Sequence, residues 1–95
     1  MPGTVISDEN WEDFEPVEAT CSDSELIVVL ANGVKVSTPL WWYPPLLAAT
    51  REARNRIALS PSGVHWPDLD EDLSIEGMLQ GRRYPEAKPP AEAAE

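Results

Sequence analysis

The chain has few of the residues that mark secreted, disulfide-bonded or membrane proteins. Cys21 is the only cysteine, which excludes an intrachain disulfide and a zinc site built on several cysteines. No stretch approaches the roughly 18 apolar residues of a membrane span, and the N-terminus lacks the basic start and apolar run of a secretory signal. These absences predict a reduced, cytoplasmic protein that does not bind membranes.

Basic residues are also scarce, and the first thirty residues contain none. Residues 1–30 carry eight acidic side chains, residues 66–81 carry five acids and no base, and only residues 31–65 are mildly basic. Direct binding of DNA or RNA is not expected at a net charge of −10, because phosphate contacts need clustered lysine and arginine. A protein partner with a basic surface is the natural complement, although solubility alone explains the N-terminal acids equally well.

Two apolar segments on either side of Asn32-Gly33 give the strongest structural signal. They predict a β-hairpin over residues 24–38, because Asn-Gly favours the type I′ turn of a two-residue loop. That loop length places Ala31 opposite Val34, and a strand around residues 16–21 is expected beside the hairpin. One face of the hairpin should enter the core, and its members are Ile27, Val29, Ala31, Val34 and Val36.

The second half of the chain shows helical spacing followed by turn signals. A main helix is expected at about 45–55, with Arg51 and Arg54 away from its inward face. The inward stripe consists of Leu46, Ala49 and Ala53. A turn at residues 60–63, a short strand at 64–66 and an acidic loop from Asp68 to Ser74 should follow. Ser74 is a suitable N-cap for a short helix at about 74–80 that ends at Gly81.

These elements predict an α+β fold, in which a small antiparallel sheet of three to four strands packs against one main helix. Residues 1–14 are expected to form an irregular acidic lead-in, and residues 15–81 a single domain. Residues 82–95 have the proline, alanine and glutamate content of a disordered tail.

The acidic segment resembles half of a calcium-binding loop. Asp68, Asp70 and Asp72 occupy positions 1, 3 and 5 of an EF-hand pattern. Position 6, which requires glycine, is Leu73, and position 12, which requires a bidentate glutamate, is Leu79. The pattern fails at both diagnostic positions, so no calcium site is expected.

Other chemistry is also poorly supported. His65 is the only histidine, and one imidazole with carboxylates is too small a ligand set for a zinc or iron site. No nucleophile lies in a recognisable catalytic setting, and no glycine-rich phosphate loop is present. We therefore expect no catalytic, cofactor-binding or metal-binding residues and no enzymatic activity.

The aromatic residues are the other candidates for function. In an extended segment Trp41, Trp42 and Tyr43 cannot all point inward, so one of the two tryptophans should face outward or into a groove. Aromatic side chains are enriched at interface hot spots, whereas Trp66 is better explained as part of the core. The candidate partner-binding residues are Trp41, Trp42, Tyr43, His65, Trp66, Asp68, Asp70, Glu71 and Asp72.

The acids in this set have a structural explanation as well. Asp70, Glu71, Asp72 and Glu76 lie just before or within the first turn of the short helix predicted at about 74–80. Negative charge there is stabilised by the helix dipole, by roughly 0.3–1 kcal/mol for each side chain.

Several motifs together resemble the bacterial domain of unknown function 2442 (DUF2442), over about residues 23–81. These motifs are Asn32-Gly33, Ser37-Thr38-Pro39-Leu40, Trp42-Tyr43-Pro44, Leu46-Leu47, Ala49-Thr50 and Gly63 to Ser74, followed by Leu79 and Gly81. Pro45 stands where this pattern often has an arginine. The resemblance implies a small α+β fold without an established reaction, in a family whose members are often thought of as partners of small toxin-like proteins.

Three functions remain open at this point. The first is an acidic protein-binding module, antitoxin-like or regulatory, with a basic partner protein. The second is a nucleic-acid mimic of the phage or anti-CRISPR kind, which needs its carboxylates on one continuous face. The third is a metal-dependent enzyme that uses the acidic loop at 65–72.

Overall fold

The computed structural model describes residues 13–89 as two small antiparallel sheets and three short helices. The sheets have the strand orders β1-β2-β3 and β4-β5-β6. In chain order the elements are β1 (Pro16–Cys21), β2 (Glu25–Leu30), β3 (Lys35–Pro39), a 3-10 turn (Leu40–Trp42), α1 (Pro44–Leu47), α2 (Arg51–Arg54), β4 (Ala58–Ser60), β5 (Gly63–Trp66), β6 (Glu71–Ser74) and α3 (Ile75–Gln80). The α+β class is confirmed, but the strands form two sheets instead of one.

The predicted hairpin forms, but its register is shifted by one residue. Val28, and not Val29, lies opposite Val36. The loop has three residues, since the Leu30 N–H donates to the Val34 carbonyl and the Gly33 N–H donates to the Leu30 carbonyl. Gly33 is the one loop residue with positive φ, at 92°. A type I turn followed by a left-handed glycine therefore replaces the predicted type I′ turn.

This shift exchanges the two faces of β2 but not those of β3, because strand side chains alternate with a period of two and opposed residues share a face. The predicted core face is wrong in β2 and the loop, where Ile27 and Val29 are half-buried and Ala31 and Val34 are exposed. Val36 lies opposite Val28 and packs against the core, as predicted. The residues that enter the core are Leu26, Val28 and Leu30.

The expected main helix at 45–55 is broken into α1 and α2. Thr50 begins α2, because its side-chain oxygen accepts a hydrogen bond of 3.1 Å from the Ala53 N–H. The break turns Arg54 inward, so the prediction of an arginine away from the core is wrong at this position. Arg51 stays exposed.

The second sheet contains one predicted strand and two that were missed. The predicted strand at 64–66 is confirmed as β5, but the preceding segment Ala58–Ser60 also pairs with it. The predicted acidic loop is a turn followed by strand β6, which pairs with β5 on its other edge. Asp70 lies in the turn with φ of 53°, a conformation that aspartate tolerates better than most residues.

The short C-terminal helix is confirmed as α3. The Ser74 side-chain oxygen accepts a 2.9 Å hydrogen bond from the Gly77 N–H, and Gly81 ends the helix with φ of 81°. Because β6 precedes the helix, only Glu76 of the four predicted acids lies in its first turn. The helix-dipole explanation therefore does not hold for Asp70, Glu71 and Asp72.

One apolar cluster joins both sheets, α1 and α3, and its members are Cys21, Leu26, Val28, Leu30, Leu40, Tyr43, Leu46, Val64, Trp66, Ile75 and Met78. Burial raises the pKa of the Cys21 thiol to about 11. Within residues 13–89, no helix is long and apolar enough to cross a membrane. The predicted division at residues 14 and 81 stays a prediction, since 1–12 and 90–95 lie outside the described part of the chain.

Candidate functional site

Three of the nine predicted partner-binding residues are buried in the folded chain. Trp66 is 0% exposed, Tyr43 1% and Glu71 8%. The Tyr43 hydroxyl lies 3.0 Å from the Thr38 hydroxyl, and the Trp66 indole N–H donates to the Arg54 carbonyl at 2.7 Å. Trp66 therefore lies in the core, whereas Tyr43 and Glu71 reach the surface only where they line a cleft, and the assignment of these residues to partner binding stays a prediction. The other six are at least partly exposed, namely Trp41, Trp42, His65, Asp68, Asp70 and Asp72.

Trp41 and Trp42 lie in the 3-10 turn, and both are half-buried. The prediction that one of them faces outward assumed an extended segment, whose alternation does not apply to a helical turn. The guanidinium carbon of Arg83 lies 5.9 Å from the Trp41 ring centre and 5.5 Å from the Trp42 ring centre. This distance is in the range of cation–π interactions.

Arg83 belongs to a segment that we call the C-terminal strap, residues 82–87. The Tyr84 N–H donates to the Trp42 carbonyl at 3.1 Å, and the Ala87 N–H donates to the Tyr84 carbonyl at 3.0 Å. The Tyr84 hydroxyl donates to the Glu71 carboxylate, with distances of 2.7 and 2.6 Å to its two oxygens. The predicted disordered tail therefore begins with residues that contact the domain.

The contact between Tyr84 and Glu71 changes the acidity of the phenol. The hydrogen bond to the carboxylate, assisted by burial and by the negative charge of Glu71, raises the pKa of Tyr84 to about 12. The cause is that ionisation of Tyr84 would remove the donated proton and bring two negative charges together.

We expect Tyr84 to ionise near pH 12 in the folded protein, against about 10 for an ordinary tyrosine. The stabilisation from this contact should be fully present below about pH 10 and lost as the pH rises through 12, because the folded state holds the proton more tightly. Ultraviolet absorbance of phenolate during an alkaline titration measures the ionisation. The Tyr84→Phe variant identifies its step, since Tyr43 also titrates late. A Glu71→Gln variant with an unchanged Tyr84 step would contradict this assignment.

The remaining predicted acids are mostly paired. Asp72 Oδ1 lies 2.6 Å from His65 Nδ1 across the β5–β6 ladder, and Asp68 Oδ2 lies 3.0 Å from Arg56 Nη1. These pairs are at least one-third exposed, so each contributes little to stability. Among residues 13–89, no group of three or more histidine, cysteine or acidic side chains is placed to hold a metal ion.

Two adjoining clefts, with volumes of about 350 and 180 Å³, lie along the C-terminal strap. We call them together the groove. Four residues line both clefts, namely Tyr43, Asp72, Leu73 and Arg82. The larger cleft is also lined by Glu71 and the strap residues Arg83, Tyr84 and Pro85. The smaller cleft is also lined by Ser74, which caps the N-terminus of α3, and by Gly77 and Met78 of that helix.

Of the nine predicted residues, the groove therefore brings together one aromatic residue, Tyr43, and two acids, Glu71 and Asp72. Trp41 and Trp42 do not line it, but both lie near Arg83, which does. It also includes Arg82, Arg83 and Tyr84, which sequence reasoning missed. The available signal was one tyrosine after two arginines, inside a segment otherwise rich in proline, alanine and glutamate. An isolated aromatic residue in such a segment is a reason to expect contact with the domain.

Comparison with known proteins identifies the fold and the family without an activity. No curated protein matches the chain. A crystal structure of a protein of unknown function from Rhodospirillum rubrum ATCC 11170 is 26% identical, with a TM-score of 0.67, over 77% of this chain and 93% of that one. The solution structure of an uncharacterized protein from Chromobacterium violaceum is 22% identical, with a TM-score of 0.65, over 90% and 87% of the two chains.

The sequence model of the family described as "Protein of unknown function (DUF2442)" matches residues 16–84. The resemblance predicted from the motifs is thereby confirmed. The match extends beyond Gly81 and ends at Tyr84, so it includes the strap residues that contact Trp42 and Glu71. The chain belongs to the DUF2442 family of proteins of unknown function.

Proposed function

We propose that this protein is a non-enzymatic binding module that recognises a basic partner protein through the groove and its rim. The observation that carries the proposal is the composition of this surface. Glu71, Asp72 and Tyr43 line the larger cleft together with Arg83, and Arg83 in turn lies near the half-buried Trp41–Trp42 pair. Asp70 is exposed two residues before Asp72. An antitoxin-like or regulatory role is one form that such binding could take.

Acidic and aromatic groups would have different tasks in this binding. Exposed carboxylates attract a basic partner over several ångströms and increase the association rate, an effect that salt screens. Aromatic side chains supply apolar contact area after the partner has docked. Affinity for the partner should therefore fall as the salt concentration rises.

The enzymatic alternative finds little support in the contacts. The pair of His65 and Asp72 is the arrangement closest to a catalytic dyad, but its one hydrogen bond in the described structure is between these two side chains. A nucleophile next to the imidazole would be needed for that chemistry. The nucleic-acid mimic is also less well supported, because Asp23 and Asp68 of the two acidic blocks are each paired with an arginine, Arg51 and Arg56.

The test is a comparison of carboxylate variants. The immobilised full-length chain is used to isolate basic bacterial proteins that elute between low and high salt, and one purified partner is then titrated against variants. Asp70→Asn/Asp72→Asn should weaken binding about tenfold, whereas Glu52→Gln, an exposed acid of α2 away from the groove, should change it less than about twofold. Absence of any salt-sensitive partner, or equal effects of both changes, would contradict the proposal.

A further inference from the structure

The C-terminal strap forms one wall of the groove and docks on the domain in the way that a bound peptide would. Its contacts with the domain are a backbone hydrogen bond from Arg82 to Gly77, one from Tyr84 to Trp42, a side-chain hydrogen bond from Tyr84 to Glu71, and the position of Arg83 near two indole rings. None of the strap residues belongs to the buried apolar cluster, although Tyr84 packs against it. The strap follows Gly81, whose left-handed conformation ends α3 and begins the turn towards the groove.

The charges of the strap complement the groove. Glu71 and Asp72 line the larger cleft from β6, and Arg82 and Arg83 line it from the strap. Two acidic and two basic residues therefore line the same cleft. Departure of the strap would remove this positive charge and the donor to Glu71, whereas Asp72 keeps His65, so a replacement ligand must bring positive charge with it.

Glu71 also sets a requirement for a hydrogen-bond donor. Its side chain is buried, and the Tyr84 hydroxyl is the hydrogen-bond partner of its carboxylate among residues 13–89. A buried carboxylate that loses its hydrogen-bond donor destabilises the folded state by the full free energy of its desolvation. Sites built to hydrogen-bond a hydroxyl reject the analogue that lacks it, so phenylalanine should be a poor substitute for tyrosine here.

From these contacts we infer that the groove binds an extended segment of the partner protein in which arginine is followed by tyrosine, and that this segment displaces the strap. The inference rests on the proposed function and names the chemistry of the partner. A second copy of this chain is a poorer occupant, because each copy carries a net charge of −10 and the copies repel each other. The strap acts as an intramolecular competitor and lowers the apparent affinity for the partner.

The experiment uses the full chain with a weakened strap, and a synthetic peptide as the probe. The double variant Arg83→Ala/Tyr84→Ala leaves the groove open, and the labelled peptide copies residues 81–89, Gly-Arg-Arg-Tyr-Pro-Glu-Ala-Lys-Pro. Fluorescence anisotropy should give binding to the variant at least tenfold tighter than binding to the wild type. The peptide should also raise the melting temperature of the variant and not that of the wild type.

Two controls define the site. A peptide with phenylalanine in place of tyrosine should bind at least tenfold more weakly, and the Lys88→Ala protein should behave as wild type, since Lys88 is exposed beyond the strap. If the double variant does not unfold cooperatively, Tyr84→Phe replaces it, because this change removes only the hydroxyl. Equal binding to variant and wild type, equal binding of both peptides, or no binding at all would overturn the inference.

The measurement also separates this inference from the proposed function. Peptide binding needs no natural partner, so a failed search for basic partners with a positive peptide result contradicts the proposed function alone. A positive search with a negative peptide result contradicts the groove chemistry alone. If the wild type forms dimers and the Tyr84→Ala variant is a monomer, the partner in the groove is a second copy of this chain. That result would also overturn the inference.

Discussion

Replacing Arg54 with alanine is expected to lower the free energy of unfolding by about 3–5 kcal/mol, although arginine is usually a surface residue. The side chain is 8% exposed and serves as a cap for α1. Its Nε donates to the Leu46 carbonyl at 3.1 Å, and its Nη2 donates to the Leu47 and Ala49 carbonyls at 3.2 and 3.0 Å. Removal leaves the partly buried Leu47 and Ala49 carbonyls without this donor, and the buried Leu46 carbonyl keeps only the Ala49 N–H at 3.2 Å.

Two further variants separate geometry from charge. Arg54→Lys keeps the charge but lacks the planar fork that reaches several carbonyls at once, so it should recover less than about half of the lost stability. Arg51→Ala is the matched control. Arg54 Nη1 lies 3.8 Å from Asp23, and Arg51 binds the same carboxylate at 3.1 Å from an exposed position, so its loss should cost less than about 0.5 kcal/mol.

Urea unfolding followed by tryptophan fluorescence measures all three variants. The interpretation requires that the slope of the unfolding free energy with urea stay the same, so that the midpoint shift reports stability. If the free energy of unfolding of Arg54→Ala lies within about 1 kcal/mol of that of Arg51→Ala, the carbonyls are hydrogen-bonded to water or have moved. The cap would then be dispensable.

The role of Arg54 illustrates which features local sequence could predict. The helix α3 was predicted because its signals, Ser74 and Gly81, are local and act on the backbone directly. The position of Arg54 depends on the break between α1 and α2, and on carbonyls that become available only because of that break. A polar residue in a helical pattern is assigned to solvent unless the tertiary contacts are known.

The hairpin register shows a second limit. Asn-Gly is compatible with both a two-residue and a three-residue loop, and the two differ by one residue in pairing. The face with Leu26, Val28 and Leu30 buries larger side chains than the face that was predicted. Weighing side-chain volume on both faces, instead of the loop alone, would have favoured the observed register.

The sequence predicted which types of residue form the candidate site, but not that the C-terminal strap lies along it. Tyr43 and the acids at 71–72 were chosen from sequence, and the groove brings them together, with Trp41 and Trp42 joined to it through Arg83. The strap could not be predicted, because its contacts join residues that are far apart in the chain, such as Tyr84 with Trp42. The composition of residues 82–95 is dominated by proline, alanine and glutamate, and it hides the few residues that contact the domain.

Replacing Trp66 is expected to have the second large effect, and its two variants measure different contacts. Trp66→Ala should lower the free energy of unfolding by about 3–5 kcal/mol, because a fully buried ring leaves a cavity. Trp66→Phe should cost about 1.5–3 kcal/mol, since it also leaves the Arg54 carbonyl without its 2.7 Å donor. Trp41→Phe, at a half-buried position, is the control and should cost less than about 1 kcal/mol.

These two predictions are linked through the short helices. A helix of four residues leaves most of its carbonyls without intrahelical partners, and here side chains from elsewhere supply the donors. Arg54 donates to the carbonyls at the end of α1, and Trp66 donates to the carbonyl of Arg54 at the end of α2. The combined variant Arg54→Ala/Trp66→Phe should therefore differ from the sum of the single variants by about 0.5–3 kcal/mol in a double-mutant cycle. Strict additivity would mean that the two helix ends are stabilised independently, and that Trp66 does not help to position the arginine.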